Sequence, residues 1–517
     1  MINVRTLICK DRRQKRIGSD ESLEVWLATG RDQFQVIRSL INSDFTPVTD
    51  HTVELKLVAP NTLLPSILAN QGPDVYHGMG QSDVINYAIR SAILPIEGFE
   101  DFDTVKTSFN EAAMLVLGLA DAEGTMHYYG LPEQQGFAMM FVRIDVLAEV
   151  GVSIPETWDD IMKAVPKLQA KNMEIGLTTD TYIHLYQAGG TLYADDGMRV
   201  NLNSKLALTS FTKMCKFFTD HGFPYVYNAA NRFRTGEMPI LIGDYTGLYN
   251  QLKVFATEIE GKWVMVPVPG TRMADGTINN CAVSSVNASV MVKGSEDKAD
   301  AAWAYLKWFT GPDCQIEYSN EMVAIMGPSA KHNTANIEAL ASLPWTTDEY
   351  SRIKAQFDNL ASIPNYPGSY IIDRYLNFAF LAAYNDGEGP AQALLGYVPI
   401  INKEISRKRA EFGLETLEGY ATLAEKRCAQ AKNVAEMLAD KDKDYADLEK
   451  KVNSAVRSED SVTLNALADD VLEMVKGDYS DTIKISTSPD TSKMNEDKLL
   501  YYLAQALMGA ADAMDSY

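Results

Sequence analysis

Apolar and polar positions alternate through SLEVWLATG (22–30) and the run ends on a glycine, which predicts a first strand. Phe34, Ile37, Leu40, Ile41 and Phe45 then recur at helical spacing within 32–45. Alternation returns in TVELKLVA (52–59), LLPSILANQ reads as helix, and GPDVYHGMGQ (72–81) reads as a short strand entering a glycine-rich loop. Strand and helix in turn are the rhythm of a parallel sheet with helices on its faces.

The middle of the chain keeps this rhythm. Strand character falls on 138–145, on MPILIG (238–243), on WVMVPVPG (263–270) and on SVNASVMVKG (285–294). Helices are expected at 157–171, where Thr157 can cap and Asp159 and Asp160 suit the positive end. Others are expected at 204–222, closing on Gly222, and at 297–313, stopped by Gly311-Pro312. After Gly413 the pattern changes. Small or apolar residues at 417, 421, 424, 428, 431, 435 and 438 make a three–four repeat rich in alanine. Further helical runs follow at 461–475 and 495–514, separated by STSPDTS (486–492). Residues 413–517 read as an all-helical appendage, a short hairpin or small bundle rather than a long coiled coil.

The 517 residues, 46% hydrophobic and 22% charged, are ordinary globular material, and at roughly 100–200 residues per domain they divide into several domains. A formal charge of −22 argues against a nucleic-acid partner, which needs lysine and arginine to neutralise phosphates. Cys9, Cys215, Cys281, Cys314 and Cys428 are widely spaced, without C-x-x-C, and read as free buried thiols. No apolar run is long enough to span a membrane. Lys10, Arg12, Arg13, Lys15 and Arg16 follow a short apolar patch, the reverse of a secretory signal, so 1–21 reads as a flexible basic linker.

Catalytic patterns are missing. The six histidines are isolated, and there is no P-loop, G-x-S-x-G or dinucleotide fingerprint. DKDKDYADLEK (440–450) starts like a calcium loop but has Tyr445 where glycine is required and Lys451 where the bidentate acid belongs. Asp195-Asp196 with Gly197 reads as a turn, not a glycosidase pair. No cofactor or metal is expected. What the chain offers instead is rings and amides, read as lying at strand ends or in loops: Trp26, HGMGQ (77–81), PEQQGF (132–137), TYIHLYQAGG (181–190), GDYTGLYNQ (243–251) and NYPGSY (365–370). Rings stack on sugar C–H faces while amides and carboxylates take hydroxyls. Open α/β sheets bind ligands at their strand C-termini, where these residues are expected.

In order, LEVWLATG, NQGPDV, YYGLPEQQGFAMMFVRIDVL, GVSIPETWDDIMKAVPKL, GEMPILIGDYTGLYNQL, EIEGKWVMVPVPGTRMADGTINN, SVNASVMVKGSEDKADAAWAYLKWFTGPDCQ and IINKEISRKRAEFGL cover about Ser22 to Leu414. Together they make the chain resemble extracellular solute-binding proteins of carbohydrate ABC importers, the maltose-binding-protein group. The resemblance implies a two-lobed α/β periplasmic-binding-protein fold (type II) preceding the helical appendage. It places lobe one at 22–131 with 284–331 and lobe two at 132–283 with 332–412, the chain crossing between them more than once. It further implies a ligand in the interlobe cleft, hinge closure driven by contacts better made in the closed form, and recognition of that form by membrane permease subunits.

Carried residue by residue, the resemblance puts Tyr245 at a stacking position, His77 and Gln81 in the polar loop, Tyr182 before AGG, and Tyr370 in the C-terminal segment. Trp26, Gln134, Asp244 and Tyr249 are further expected contacts. It implies a non-enzymatic protein outside the cell or at its surface. A membrane tether would then reside in a missing N-terminal segment, through a truncated gene start or a chain cut from a longer protein. A sensor feeding a membrane receptor, a partner-binding scaffold and a carbohydrate hydrolase are the alternative readings. The appendage is not covered by the resemblance.

Overall fold

A computed structural model of the chain describes residues 22–121, 125–327, 330–417, 422–458, 460–480, 483, 485 and 491–515. The basic segment 1–21 and its Cys9 lie outside the described residues, as does most of STSPDTS. The chain forms two compact units. Unit 1 holds residues up to Leu117, Tyr129–Gln135 and Ser285–Trp345; unit 2 holds Gly118–Tyr128, Gly136–Ser284 and everything from Thr346 onward.

In unit 1 the expected alternation forms β1 (Ser22–Leu27), β2 (Thr52–Leu57) and β3 (Val75–Gly80). β1 lies between β2 and β3, parallel to both, with Ser22 opposite Thr52 and Val25 opposite Val75. Leu23, Val25 and Leu27 point inward, as period two requires. The anticipated helix at 32–45 is Arg31–Leu40, continued by a wider π turn over Ile41–Phe45.

Two long strands pass through both units: β4 (Leu131–Arg143) and β8 (Ala282–Met291). In unit 1, β8 runs antiparallel to β3, with Asn287 opposite Gly80. In unit 2, β4 is flanked by antiparallel β6 (Ile240–Asp244) and β7 (Trp263–Val266). The short β5 (Ile175–Gly176) runs parallel to β6, and β8 begins parallel to β9 (Leu360–Ala361). Around this sheet the helices Trp158–Gln169, Lys205–Thr219, Ile372–Asp386 and Pro390–Glu411 close a core containing Phe211, Phe217, Phe380 and Ile401. Thr157 caps as expected: its hydroxyl accepts the Asp160 N–H at 3.2 Å and Asp160 returns a bond to the Thr157 N–H at 3.3 Å.

Two expectations change. PEQQGF is strand, not loop, because residues 333–335 pair with it: Gln135 N–H donates to Asn333 O at 2.9 Å and Ala335 N–H to Glu133 O at 3.0 Å. The same pairing, with Ile337 N–H on Ser108 O at 3.0 Å, draws residues 332–345 into unit 1 instead of lobe two.

The appendage is a small bundle: α1 (Leu423–Lys441), α2 (Ala446–Ser458), α3 (Ser461–Leu472) and α4 (Glu496–Asp515). α4 packs on α1 and α3, and α2 bridges those two. Ala431, Ala435, Ala468, Ala504, Ala506 and Ala510 are fully or almost fully buried, and their short side chains let the helices approach closely around Leu438, Leu464, Leu503 and Leu507. DKDKDYADLEK runs as the end of α1, a 3₁₀ turn over Lys443–Tyr445 and the start of α2.

Candidate functional site

Ligand-type side chains gather in unit 2 as a tyrosine–carboxylate cluster. Asp180 caps the helix Thr181–Gln187, its carboxylate accepting the N–H groups of Tyr182 at 2.9 Å and Ile183 at 3.1 Å. Tyr182 and Tyr186 are four positions apart on the helix, so both half-buried rings lie on one face. A hairpin, Tyr193–Ala194 paired with Arg199–Val200, brings in Tyr193. Tyr366 meets Tyr193 edge-on at 4.8 Å and 79°. Asp373, in the first turn of Ile372–Asp386, is exposed and accepts the Tyr182 hydroxyl.

Electrostatics unify the group. Burial, followed by the neighbouring Asp373 charge, raises the Tyr182 phenol well above its ordinary range. Burial pushes Tyr186 up to about 12 and Tyr193 higher still. All three are protonated at neutral pH, as an unshifted phenol would be, and Tyr182 already donates to Asp373. Burial also raises Asp180 to about 6, with Asp373 adding to the effect and the Ile183 and Tyr182 N–H groups opposing it. The arrangement provides ring faces, phenol groups and carboxylate acceptors from helices, a hairpin and the loop of Tyr366. It suits a polyhydroxylated ligand.

Of the residues expected from sequence, only Tyr182 belongs to this cluster. Asp180, Tyr186, Tyr193, Tyr366 and Asp373 were not singled out. The i, i+4 tyrosines of TYIHLYQ carried part of the signal, and that stretch is helix rather than loop. Tyr370 is 42% exposed and donates to Glu404. Asp244 is exposed but caps the helix Tyr245–Phe255, accepting the Gly247 N–H at 2.6 Å. GDYTGLYNQ is thus a strand-to-helix turn, which corrects its reading as a strand end presenting rings. Tyr245 is 0% exposed and stacked on Phe137 at 4.2 Å, while Tyr249 is 4% exposed and donates to Glu349 at 2.9 Å.

In unit 1, Gln81, Gln134 and Asn287 gather at the C-terminal end of β3. Asn287 Nδ2 donates to Gln134 Oε1 at 3.3 Å, and Gln81 Oε1 accepts the Val286 N–H at 2.8 Å. Trp26 is half-buried beside Tyr76, its indole N–H donating to Glu24 at 2.6 Å.

His77 is 5% exposed and lies inside unit 1, which corrects its expected place in a ligand-facing loop. Its Nδ1 lies 2.8 Å from Glu133 Oε1 and 3.0 Å from Ser289 Oγ; its Nε2 lies 3.0 Å from the Tyr305 hydroxyl. Burial alone would raise Glu133, but attraction to His77 and hydrogen bonds from His77, Ser289 and the Gly78 N–H outweigh it and lower the carboxyl. A hydrolytic triad places serine and acid on opposite ring nitrogens. Here both address Nδ1, and the Ser289 hydroxyl donates to the acid. The cluster ties β3, β4 and β8 together without the geometry of a nucleophile.

Among solved structures, the sugar-binding protein MalE from Xanthomonas citri matches with a TM-score of 0.63 at 17% identity, over 76% of this chain and 100% of its own. The maltose-binding periplasmic protein MalE from Listeria monocytogenes, in complex with maltose, matches with a TM-score of 0.58 at 17% identity, over 75% of this chain and 99% of its own. The maltotriose-binding protein of Pyrococcus abyssi (strain GE5 / Orsay) is 25% identical over 301 residues, 55% of this chain and 62% of that relative's length. The chain therefore spans a little under two thirds of that curated relative.

The fold is that of the two-lobed α/β solute-binding proteins, with C-terminal helices added. By its match over residues 48–344, the chain belongs to the bacterial extracellular solute-binding protein family. No helix among the described residues is long and apolar enough to cross a membrane.

Proposed function

We propose that this protein captures a sugar or short oligosaccharide outside the cytoplasm and delivers it, chemically unchanged, to the permease subunits of an ABC importer. The observation that carries this reading is the cluster of Tyr182, Tyr186, Tyr193 and Tyr366 with Asp180 and Asp373, where rings and hydroxyl-binding groups lie together. Family membership and the sugar-binding relatives support it. Gln81, Gln134, Trp26, Asp244 and Tyr370 keep half-buried or exposed side chains and are proposed as further contacts. His77, Tyr245 and Tyr249 are left out because they are buried.

The test is titration calorimetry with maltose, maltotriose and maltotetraose, alongside an assay for released reducing ends. Wild-type protein is expected to bind at least one saccharide and release no new ends, and Tyr182→Ala to weaken binding by about 2 kcal/mol, as for loss of an aromatic anchor. Hydrolysis, or no heat with any of the saccharides, would overturn the reading. Unchanged affinity in Tyr182→Ala would remove this cluster from the site.

A further inference from the structure

The loop of the hairpin that carries Tyr193 also touches the C-terminal bundle. Asp195, Asp196 and Gly197 follow one another with φ of 53°, 52° and 72°, a left-handed run that only glycine adopts without steric cost. Its two faces have different partners. On one, the Tyr366 ring lies against Gly197 so closely that an added Cβ would come within 2.4 Å of ring carbons. On the other, the buried Asp195 carboxylate accepts the N–H of Leu423, the first residue of α1, at 2.9 Å, and the Arg199 guanidinium.

The root of the bundle is fastened around the same point. Arg427 on α1 forms a two-point pair with Glu415 at 2.9 and 2.8 Å, and Lys426 reaches the same carboxylate at 2.7 Å. Arg409, at the end of the lobe's last helix, donates to Glu415 O at 2.6 Å. Met198, Leu417, Leu423 and Ala513 form an apolar cluster from hairpin, connector and bundle. The farther strand of the hairpin is held by Asn402, which accepts the Val200 N–H at 2.8 Å.

We propose that the bundle positions the ligand-binding tyrosines: by clasping Asp195 it holds the left-handed turn that keeps Tyr193 and Tyr366 in register, so saccharide affinity depends on a contact made by a helix that touches no ligand. Asp195 is thereby a positioning residue. This rests on the tyrosine cluster being the saccharide site, and the experiment separates the two ideas.

The full-length chain is compared as wild type, Asp195→Ala, Asp195→Asn and Leu423→Pro. Asn keeps an acceptor for Leu423 while giving up the charge that pairs with Arg199. Leu423→Pro removes the donor from the bundle side at a first-helical position that favours proline. Amide hydrogen exchange over 191–201 is read without ligand, and maltotriose affinity by calorimetry.

Asp195→Ala and Leu423→Pro are each expected to speed exchange across the hairpin and weaken maltotriose binding by about tenfold, with Asn close to wild type in both. Wild-type exchange and affinity in the Ala and Pro variants would overturn the proposal. So would an Asn variant as damaged as Ala, since the Arg199 pair would then be what matters. If wild type binds no saccharide, the functional reading fails on its own account while the exchange arm still decides the clasp. Should Asp195→Ala not fold, Leu423→Pro decides from the other side.

Discussion

Replacing Asp180 by asparagine tests the electrostatics of the tyrosine cluster directly. Asparagine keeps the oxygen that accepts the Tyr182 and Ile183 N–H groups, and it caps helices about as well as aspartate. What is removed is a half-buried charge facing Asp373. In the folded protein Asp180 titrates near 6, against an ordinary value of 3.8, chiefly through burial. A carboxyl raised in the fold binds its proton more tightly there than in the unfolded chain. Its stabilising contribution is complete below about pH 4 and is lost as pH rises through about 6.

At about 1.4 kcal/mol for each pH unit, the gap sets a ceiling of about 3 kcal/mol, and solvent screening of a group that is not fully buried brings the expected effect to about 1–2 kcal/mol. Asp180→Asn should therefore be more stable than wild type at pH 7 and lose that advantage by pH 4. Urea unfolding at pH 4, 5, 6 and 7 measures it. Parallel pH profiles, or a variant less stable at pH 7, would refute the reasoning. If the charge serves ligand hydroxyls, the stabler variant should also bind saccharide more weakly, a trade between stability and function familiar at binding sites.

Tyr245→Ala should cost about 3–5 kcal/mol of stability, because the lost ring is fully buried against Phe137, while Tyr245→Phe should cost far less; weaker saccharide binding at unchanged stability would return Tyr245 to the ligand site. Gln187→Ala should cost about 3 kcal/mol by urea unfolding, since the buried amide accepts from Trp158 at 2.7 Å and donates to Pro269 O at 3.0 Å and Cys281 O at 3.1 Å, leaving several groups without partners; a loss below about 1 kcal/mol would mean that water replaces it.

The site was only partly legible in the sequence. The resemblance points to Tyr182 by its place before AGG, but its distant companions come from a hairpin, a loop and a helix up to about 190 residues away, joined only when those elements pack. Tyr245 and Tyr249 misled for a local reason. A residue sequence of acid, ring and glycine after a strand is shared by an open loop and by an N-cap, and the bond from Gly247 to Asp244 is what makes it the cap. His77 misled because a polar residue in a glycine-rich stretch is exposed by default, and only Glu133, Ser289 and Tyr305 supply the partners that permit its burial.

By itself the sequence determined the opening alternation of strands and helices, the inward face of β1, the cap at Thr157, the helix beginning at 204, and the alanine-lined helices of the appendage. Each of these follows from side-chain spacing or from hydrogen bonds spanning three residues, so neighbours along the chain suffice to specify it. Tertiary structure alone decided that residues 332–345 join unit 1, that the tyrosines converge, and that Asp195 meets Leu423. Those depend on which distant surfaces exclude water together, and the pattern within any single element does not carry that choice.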